Sequence, residues 1–238
     1  MQKIILLSFF MISGFLSFSQ DHTASQDKNA VTRDAKGFHA IEVSGGMELY
    51  LSPGNEESVA ISTSDISVRD HIRADVENGV LKIYLDNRDG RWNTNKKMTA
   101  YVSFKQLDAI EASGGSNVFV QDILKGDRLD VRLSGGGHLR GKMDVSDLSI
   151  NQSGGSNVYI TGMVKDLNIE SSGGSNFKGY DLVTDIGHFS ASGGGEIHVT
   201  VNKEFSAIAS GGSGVYYKGA GVVKSVSTSG GSGIHKEG

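Results

Sequence analysis

From residue 107 onward, apolar residues recur in a pattern locked to the tripeptide Ser-Gly-Gly. Three positions before each serine stand Ile110, Val131, Ile150, Ile169, Phe189, Ala207 and Val226. Five or six before it stand Leu107, Leu129, Leu148, Leu167, Ile186, Phe205 and Val223. Five after it stand Val118, Leu139, Val158, Phe177, Ile197, Val215 and Ile234. A third apolar position follows at nine to twelve, in Ile123, Met143, Val164, Leu182, Val201 and Val222. Each repeat thus holds three short stretches in which apolar and polar residues alternate. Alternation with a period of two marks half-buried strands. No segment after residue 37 sustains a helical period, so the pattern predicts an all-β chain.

The tripeptide itself sets the architecture. It occurs first at Ser44. It then recurs in seven regular repeats: Ser113-Gly114-Gly115, Ser134-Gly135-Gly136, Ser153-Gly154-Gly155, Ser172-Gly173-Gly174, Ser192-Gly193-Gly194, Ser210-Gly211-Gly212 and Ser229-Gly230-Gly231. The intervals between the seven are 21, 19, 19, 20, 18 and 19 residues. A fixed period near twenty is the signature of a solenoid. A β-sandwich would need two-residue hairpin turns, and only Asn78-Gly79 and Asp89-Gly90 qualify, both before the regular repeats. A parallel β-helix instead stacks like residue on like residue, which is what the columns require. The expectation is a right-handed parallel β-helix of about 19–20 residues per coil, right-handed winding being the default for parallel connections. Each Ser-Gly-Gly is read as a corner, where glycine takes positive φ without steric cost and allows close stacking. Serine can bond a neighbouring backbone group there. Ser116-Asn117, Ser156-Asn157 and Ser175-Asn176 suggest a partial Ser-Asn ladder between coils.

The chain before residue 113 is less regular. Residues 1–19 read as a secretory signal: Lys3 supplies positive charge, Ile4 to Phe18 holds 11 large apolar residues, and Ser17-Phe18-Ser19 offers a cleavage site. Residues 20–36 read as a flexible leader, and residues 37–238 as one domain. Asn78-Gly79 between Ile72–Val76 and Val80–Leu85 predicts one antiparallel hairpin ahead of the coils.

Three segments together resemble a known family. They are Phe38-His39-Ala40-Ile41-Glu42-Val43-Ser44-Gly45-Gly46, then Glu77-Asn78-Gly79 with Leu81 and Ile83, then Leu107, Ile110 and Ser113-Gly114-Gly115-Ser116. The ordering resembles the head GIN domain of auto-transporter-type adhesins, over about residues 37 to 235. The resemblance implies a β-helical protein of the cell envelope or medium, exported by Bacteroidetes-type bacteria, with an adhesive role. It supplies no catalytic residues. The sequence departs from an auto-transporter in showing no membrane barrel or anchor before His235-Lys236-Glu237-Gly238.

Composition narrows the chemistry. The chain has 238 residues, no cysteine, one proline, one tryptophan and a formal net charge of −4. Disulfides, thiolate metal sites and cysteine nucleophiles are excluded. Slight acidity argues against nucleic acid, whose binders carry a basic stripe. Sixteen of the 33 glycines lie in the doublets, so the excess is positional. The seven histidines, at 22, 39, 71, 138, 188, 198 and 235, show no ligand spacing. No nucleophile elbow, phosphate loop or cofactor motif is present, and no cofactor is expected. Asp147, Asp166, Asp185 and Glu204 form an acidic column, read first as a solvated corner; of the functional readings, calcium suits it better than glycoside cleavage. The one distinctive surface feature is the polar loop from Asp86 to Lys97. There Trp92, between Arg91 and Asn93, can stack on a sugar ring or fold back over the solenoid. The expected function is a non-catalytic adhesin or surface-binding module, with cell-surface glycans or envelope components as partners. A glycan-acting enzyme or calcium-dependent glycan binder on the same scaffold is the alternative. Oligomeric state is not legible. On this reading, N-terminal mass spectrometry of the exported chain finds Gln20 first; an intact Met1 terminus on that material contradicts it.

Overall fold

A computed structural model describes residues 23–87 and 96–238. Its regular part consists of long strands that bend at corners and stack in parallel. These are β9 (Asn117–Leu133), β10 (His138–Gln152), β11 (Asn157–Ser171), β12 (Asn176–Gly193) and β13 (Glu196–Gly211). The last coils split into β14 (Gly214–Lys218), β15 (Val222–Thr228) and β16 (Gly233–Lys236). The result is a β-solenoid of about 7 turns. Like pairs with like along it: Leu139 lies beside Val158, Leu148 beside Leu167 and Ile150 beside Ile169.

The earlier segment closes one end. β2 (Ala40–Val43) and β3 (Glu48–Pro53) form a coil through Ser44-Gly45-Gly46. β6 (Val80–Leu85) and β7 (Met98–Phe104) stack on one side of that coil. β8 (Ala109–Ala112) and β9 stack on the other. β4 (Ser58–Thr63) and β5 (Ile72–Glu77), linked by the short helix α1 (Ile66–Arg69), pair antiparallel to β7 and β6. The Asn78-Gly79 hairpin is there, with φ of 52° and 78° at its two turn residues, as a type I′ turn requires. Part of the expected leader is structured instead. Strand β1 (Val31–Arg33) pairs with β4, and Tyr101 Oη donates to Asp27 at 2.9 Å.

Every Ser-Gly-Gly is a corner, but its two glycines differ. The first has positive φ throughout: 62° at Gly114, 79° at Gly135, 75° at Gly154, 73° at Gly173, 89° at Gly193, 75° at Gly211 and 70° at Gly230. A Cβ on Gly154 would also lie 2.7 Å from the Gly135 carbonyl oxygen. The second glycine needs neither freedom in the regular coils. Among them only Gly115 has positive φ, and a Cβ on Gly155 would sit 3.9 Å from its nearest neighbour. Its amide donates to the first glycine of the preceding coil: Gly155 N to Gly135 O at 2.8 Å and Gly174 N to Gly154 O at 2.8 Å. The ladder therefore runs unbroken round the corner.

The serine that bonds at the corner is the one after the doublet. Ser156, Ser175, Ser213 and Ser232 each donate from Oγ to the carbonyl of the leading serine, at 3.0, 2.7, 2.8 and 2.8 Å. Asn176 Nδ2 donates to Asn157 Oδ1 at 3.3 Å, so the Asn ladder has one rung there.

Two expected core positions move by one residue. Gly187, not Ile186, aligns with Leu167 and Phe205, and the Phe189 ring covers the space above Gly187. Leu124, not Ile123, aligns with Met143 and is buried. In β15, Val223 and Val226 align with Phe205 and Ala207 yet stay exposed. The two glycines of one corner should therefore separate in thermal melts. Gly154→Val forces a β-branched residue into the left-handed region against backbone, and should cost several kcal/mol, of order 3 or more. Gly155→Ala should stay within about 1 kcal/mol of wild type. Equal losses at both positions would remove the distinction.

Candidate functional site

Inside and at the corners the coils repeat; on the outer faces they differ. The sixth residue after each leading serine points outward from the second stretch of its coil. These residues are Tyr50, Phe119, Arg140, Tyr159, Lys178, His198, Tyr216 and His235. Strand register brings them into one file. Tyr101 pairs with Tyr50, Tyr50 with Phe119, Phe119 with Arg140, and Arg140 with Tyr159. The file continues through Lys178, His198 and Tyr216 to His235. All nine are at least partly exposed. At about 4.8 Å per rung the file spans roughly 40 Å.

The rings contact along the file. Tyr50 stacks between Tyr101 and Phe119, with centroids 5.6 and 5.1 Å away. His198 stacks on Tyr216 at 4.9 Å, and Tyr216 on His235 at 5.4 Å. Lys178 Nζ lies 5.2 Å from the Tyr159 ring centre, and Lys218 Nζ 4.4 Å from that of Tyr180, distances at which a cation is attracted to the ring face. Beside the file, Tyr180 Oη donates to Glu237 and lies 2.8 Å from His198 Nδ1, while His198 Nε2 lies 3.0 Å from Glu196.

A hollow of about 970 Å³ opens over the middle of this file. Its shape follows from strand irregularities. In β9, Phe119 to Ile123 faces Arg140 to Lys142, so β9 carries extra residues. They include Gln121 and Asp122, and Asp122 has φ of 63°. In β12, Gly179 to Val183 faces Val199 to Thr200, so Tyr180 and Asp181 lie in a second bulge. Between them β10 and β11 run in register with no bulge. The hollow therefore has Arg140, Gly141, Tyr159 and Thr161 on its two flush coils and bulged residues at either side. A second hollow, of about 600 Å³, mixes Lys125 and Lys165 with Asp127, Asp144 and Asp185 and has no aromatic lining.

The residues singled out from sequence fare unequally. Arg91, Trp92 and Asn93 lie outside the described residues. The acidic column does not stack as expected. Asp147 and Asp166 are adjacent, but Arg128 pairs with Asp147 on the other side. Ile186 separates Asp166 from Glu204. The bulge in β12 shifts Asp185 out of line, where it binds Lys203 at 2.7 Å; Glu204 binds Lys224 at 3.1 Å. Among the described residues, no three His, Asp or Glu side chains are grouped to hold a metal ion. The apolar columns contain the inward residue five after the serine, whereas the file is carried by its outward neighbour, which those columns do not include.

The chain matches the family described as putative auto-transporter adhesin, head GIN domain, over residues 37–221. It belongs to that family. Solved structures share the fold. One is a putative adhesin from Bacteroides fragilis, 21% identical, covering 89% of this chain and 98% of that one, TM-score 0.80. Another is a putative adhesin from Parabacteroides merdae, 18% identical, covering 88% and 95%, TM-score 0.68. A third, from Parabacteroides distasonis, is called a putative lipid binding protein; it is 18% identical, covers 89% and 98%, and has a TM-score of 0.68. Comparison with curated proteins finds no match. Among the described residues no helix is long and apolar enough to cross a membrane.

Three tyrosines here hold their protons tightly. Burial, then the Glu48 carboxylate, pushes Tyr50 up to about 12. Burial and the bond to Asp27 raise Tyr101, and burial and the bond to Glu237 raise Tyr180. A raised folded-state value stabilises the fold fully below the unfolded value near 10, and the contribution is lost as pH climbs through the folded value. Phenolate absorbance should show Tyr50, Tyr101 and Tyr180 ionising late, with stability falling above about pH 10. Tyr180→Phe should remove one late proton; simultaneous ionisation of all seven tyrosines near pH 10 would contradict the environments described.

Proposed function

We propose that the protein is an exported, non-catalytic adhesin module that binds surfaces through the outer file from Tyr101 to His235. The observation that carries this reading is the register. Nine side chains that are all aromatic or cationic share one exposed line, although an outward position of a solenoid is free to vary. Aromatic rings supply rigid contact area at little entropic cost, and stacked rings keep their faces parallel. Membership in a family described as adhesins supports the same reading.

Geometry disfavours the enzymatic alternative. The carboxylates beside the main hollow are Asp122 and Asp181. Their strands, β9 and β12, are three spacings apart, roughly 14 Å. Glycosidases hold their carboxyl pair at about 5–5.5 Å or about 6.5–9.5 Å. Both residues are also exposed to solvent, away from the buried setting in which a catalytic acid is tuned.

Repetition along a shallow face makes each contact weak and the sum strong. Beads carrying many copies of the mature chain should hold to whole cells or immobilised polysaccharide with an apparent affinity about 10²–10⁴ above that of the free chain. Beads that fail to bind, or release of reducing ends from polysaccharide by the purified chain, would overturn the reading.

A further inference from the structure

We infer that the hollow between the bulges of β9 and β12 is a glycan subsite, which takes a short neutral, hydroxyl-rich segment of two or three sugar units. The inference rests on the surface-binding reading and names its ligand class. Tyr159 lies on the flush coils and is 40% exposed, the one tyrosine lining the hollow with so open a ring. Phe119, already stacked on Tyr50, lines the same hollow. Such faces match the C–H-rich faces of a pyranose ring. Polar groups of both kinds surround them. Arg140 and Lys178 donate hydrogen bonds; Asp122 and Asp181 accept them; Thr161 does either. A sugar hydroxyl donates and accepts at once, so it can use both kinds.

Size and charge argue against other occupants. The roughly 14 Å between the bulged strands suits a few sugar units along the solenoid axis. Two cations and two carboxylates line the hollow, so its formal charge balances. A nucleic acid would meet Asp122 and Asp181 beside its phosphates, and the whole chain carries −4. An acyl chain would have to desolvate Arg140, Lys178, Asp122 and Asp181 while offering none of them a hydrogen bond. A volume of about 970 Å³ lies within the range of sites for small ligands, whose apolar faces and few converging polar groups this one shares.

Calorimetric titration of the mature chain with cellohexaose, mannohexaose and xylohexaose tests the inference. Hexagalacturonate, oligothymidine and dodecylphosphocholine micelles stand for the competing classes. At least one neutral hexaose should bind. Tyr159→Ala should weaken it about tenfold, as expected for loss of one stacked aromatic. Thr161→Trp, which fills the hollow and keeps every other lining residue, should abolish it. Met163→Ser, in the second hollow, should leave it unchanged. Unaltered melting of Tyr159→Ala, expected for so exposed a residue, separates lost contact from lost fold. Binding of only the acidic, nucleic or micellar probe overturns the inference, as does unchanged binding by both hollow variants. If no hexaose binds while coated beads still hold to cells, the ligand class is overturned and the surface-binding reading stands; if the beads fail as well, both fall.

Discussion

Everything in this molecule hangs on a hydrogen-bond ladder that must turn corners without breaking. A strand can stack on its neighbour indefinitely, but a coil has to bend, and a bend ordinarily strands backbone groups. Here the second glycine's amide reaches the first glycine's carbonyl one coil back, at 2.8 Å for Gly155 and Gly174. The first glycine can offer that carbonyl because it sits at positive φ with its neighbour's backbone packed against it, where a Cβ would meet Gly135 O at 2.7 Å from Gly154. The buried hydroxyls of Ser156, Ser175 and Ser213 then satisfy the leading serine's carbonyl from inside. The backbone groups of these corners are thus paired within the protein, as a desolvated backbone requires.

That arrangement explains how much of the fold was legible. The corner demands one residue type at one spacing, so it repeats visibly, and the core columns repeat with it. Reading outward from the serine worked for five residues, through Val118, Leu139 and Val158, because no irregularity intervenes. It failed beyond the bulges. Extra residues in β9 put Leu124 where Ile123 was expected, and those in β12 shifted Asp185 out of the acidic column. A bulge changes register by local backbone geometry, and neither Asp122 at φ 63° nor Tyr180-Asp181 carries a turn dipeptide that announces it. Gly187 was misread for a related reason. A core position occupied by glycine is invisible to an apolar count, and its space is filled by Phe189 two residues away.

Most of the candidate site is written in the sequence. All eight residues six after a leading serine are visible in the sequence, and each is aromatic or cationic. What the sequence did not display was that Tyr101, which follows no Ser-Gly-Gly, joins the same file through β7. Nor did it show that two bulges three coils apart would leave a hollow between them. The single tryptophan, in the 86–97 loop, is the rarer residue but belongs to no column.

A solenoid divides labour between its faces in a way a globular core does not. Inward positions are held to one size by the coils above and below, and corners to one residue type by φ and stacking. Outward positions are held to no common size, so core packing does not demand that Phe119, Arg140, Tyr159 and Lys178 stand in one file. Exposed aromatic rings are also a cost: they offer water an apolar face and other proteins a place to stick. Here part of that cost is offset within the file itself, by ring stacking at Tyr50 and Tyr216 and by Lys178 over Tyr159. The cations and carboxylates around the hollow balance in number, so attraction there owes little to net charge and should be insensitive to salt. On the proposed reading, a surface built this way would recognise shape and hydroxyl pattern over area.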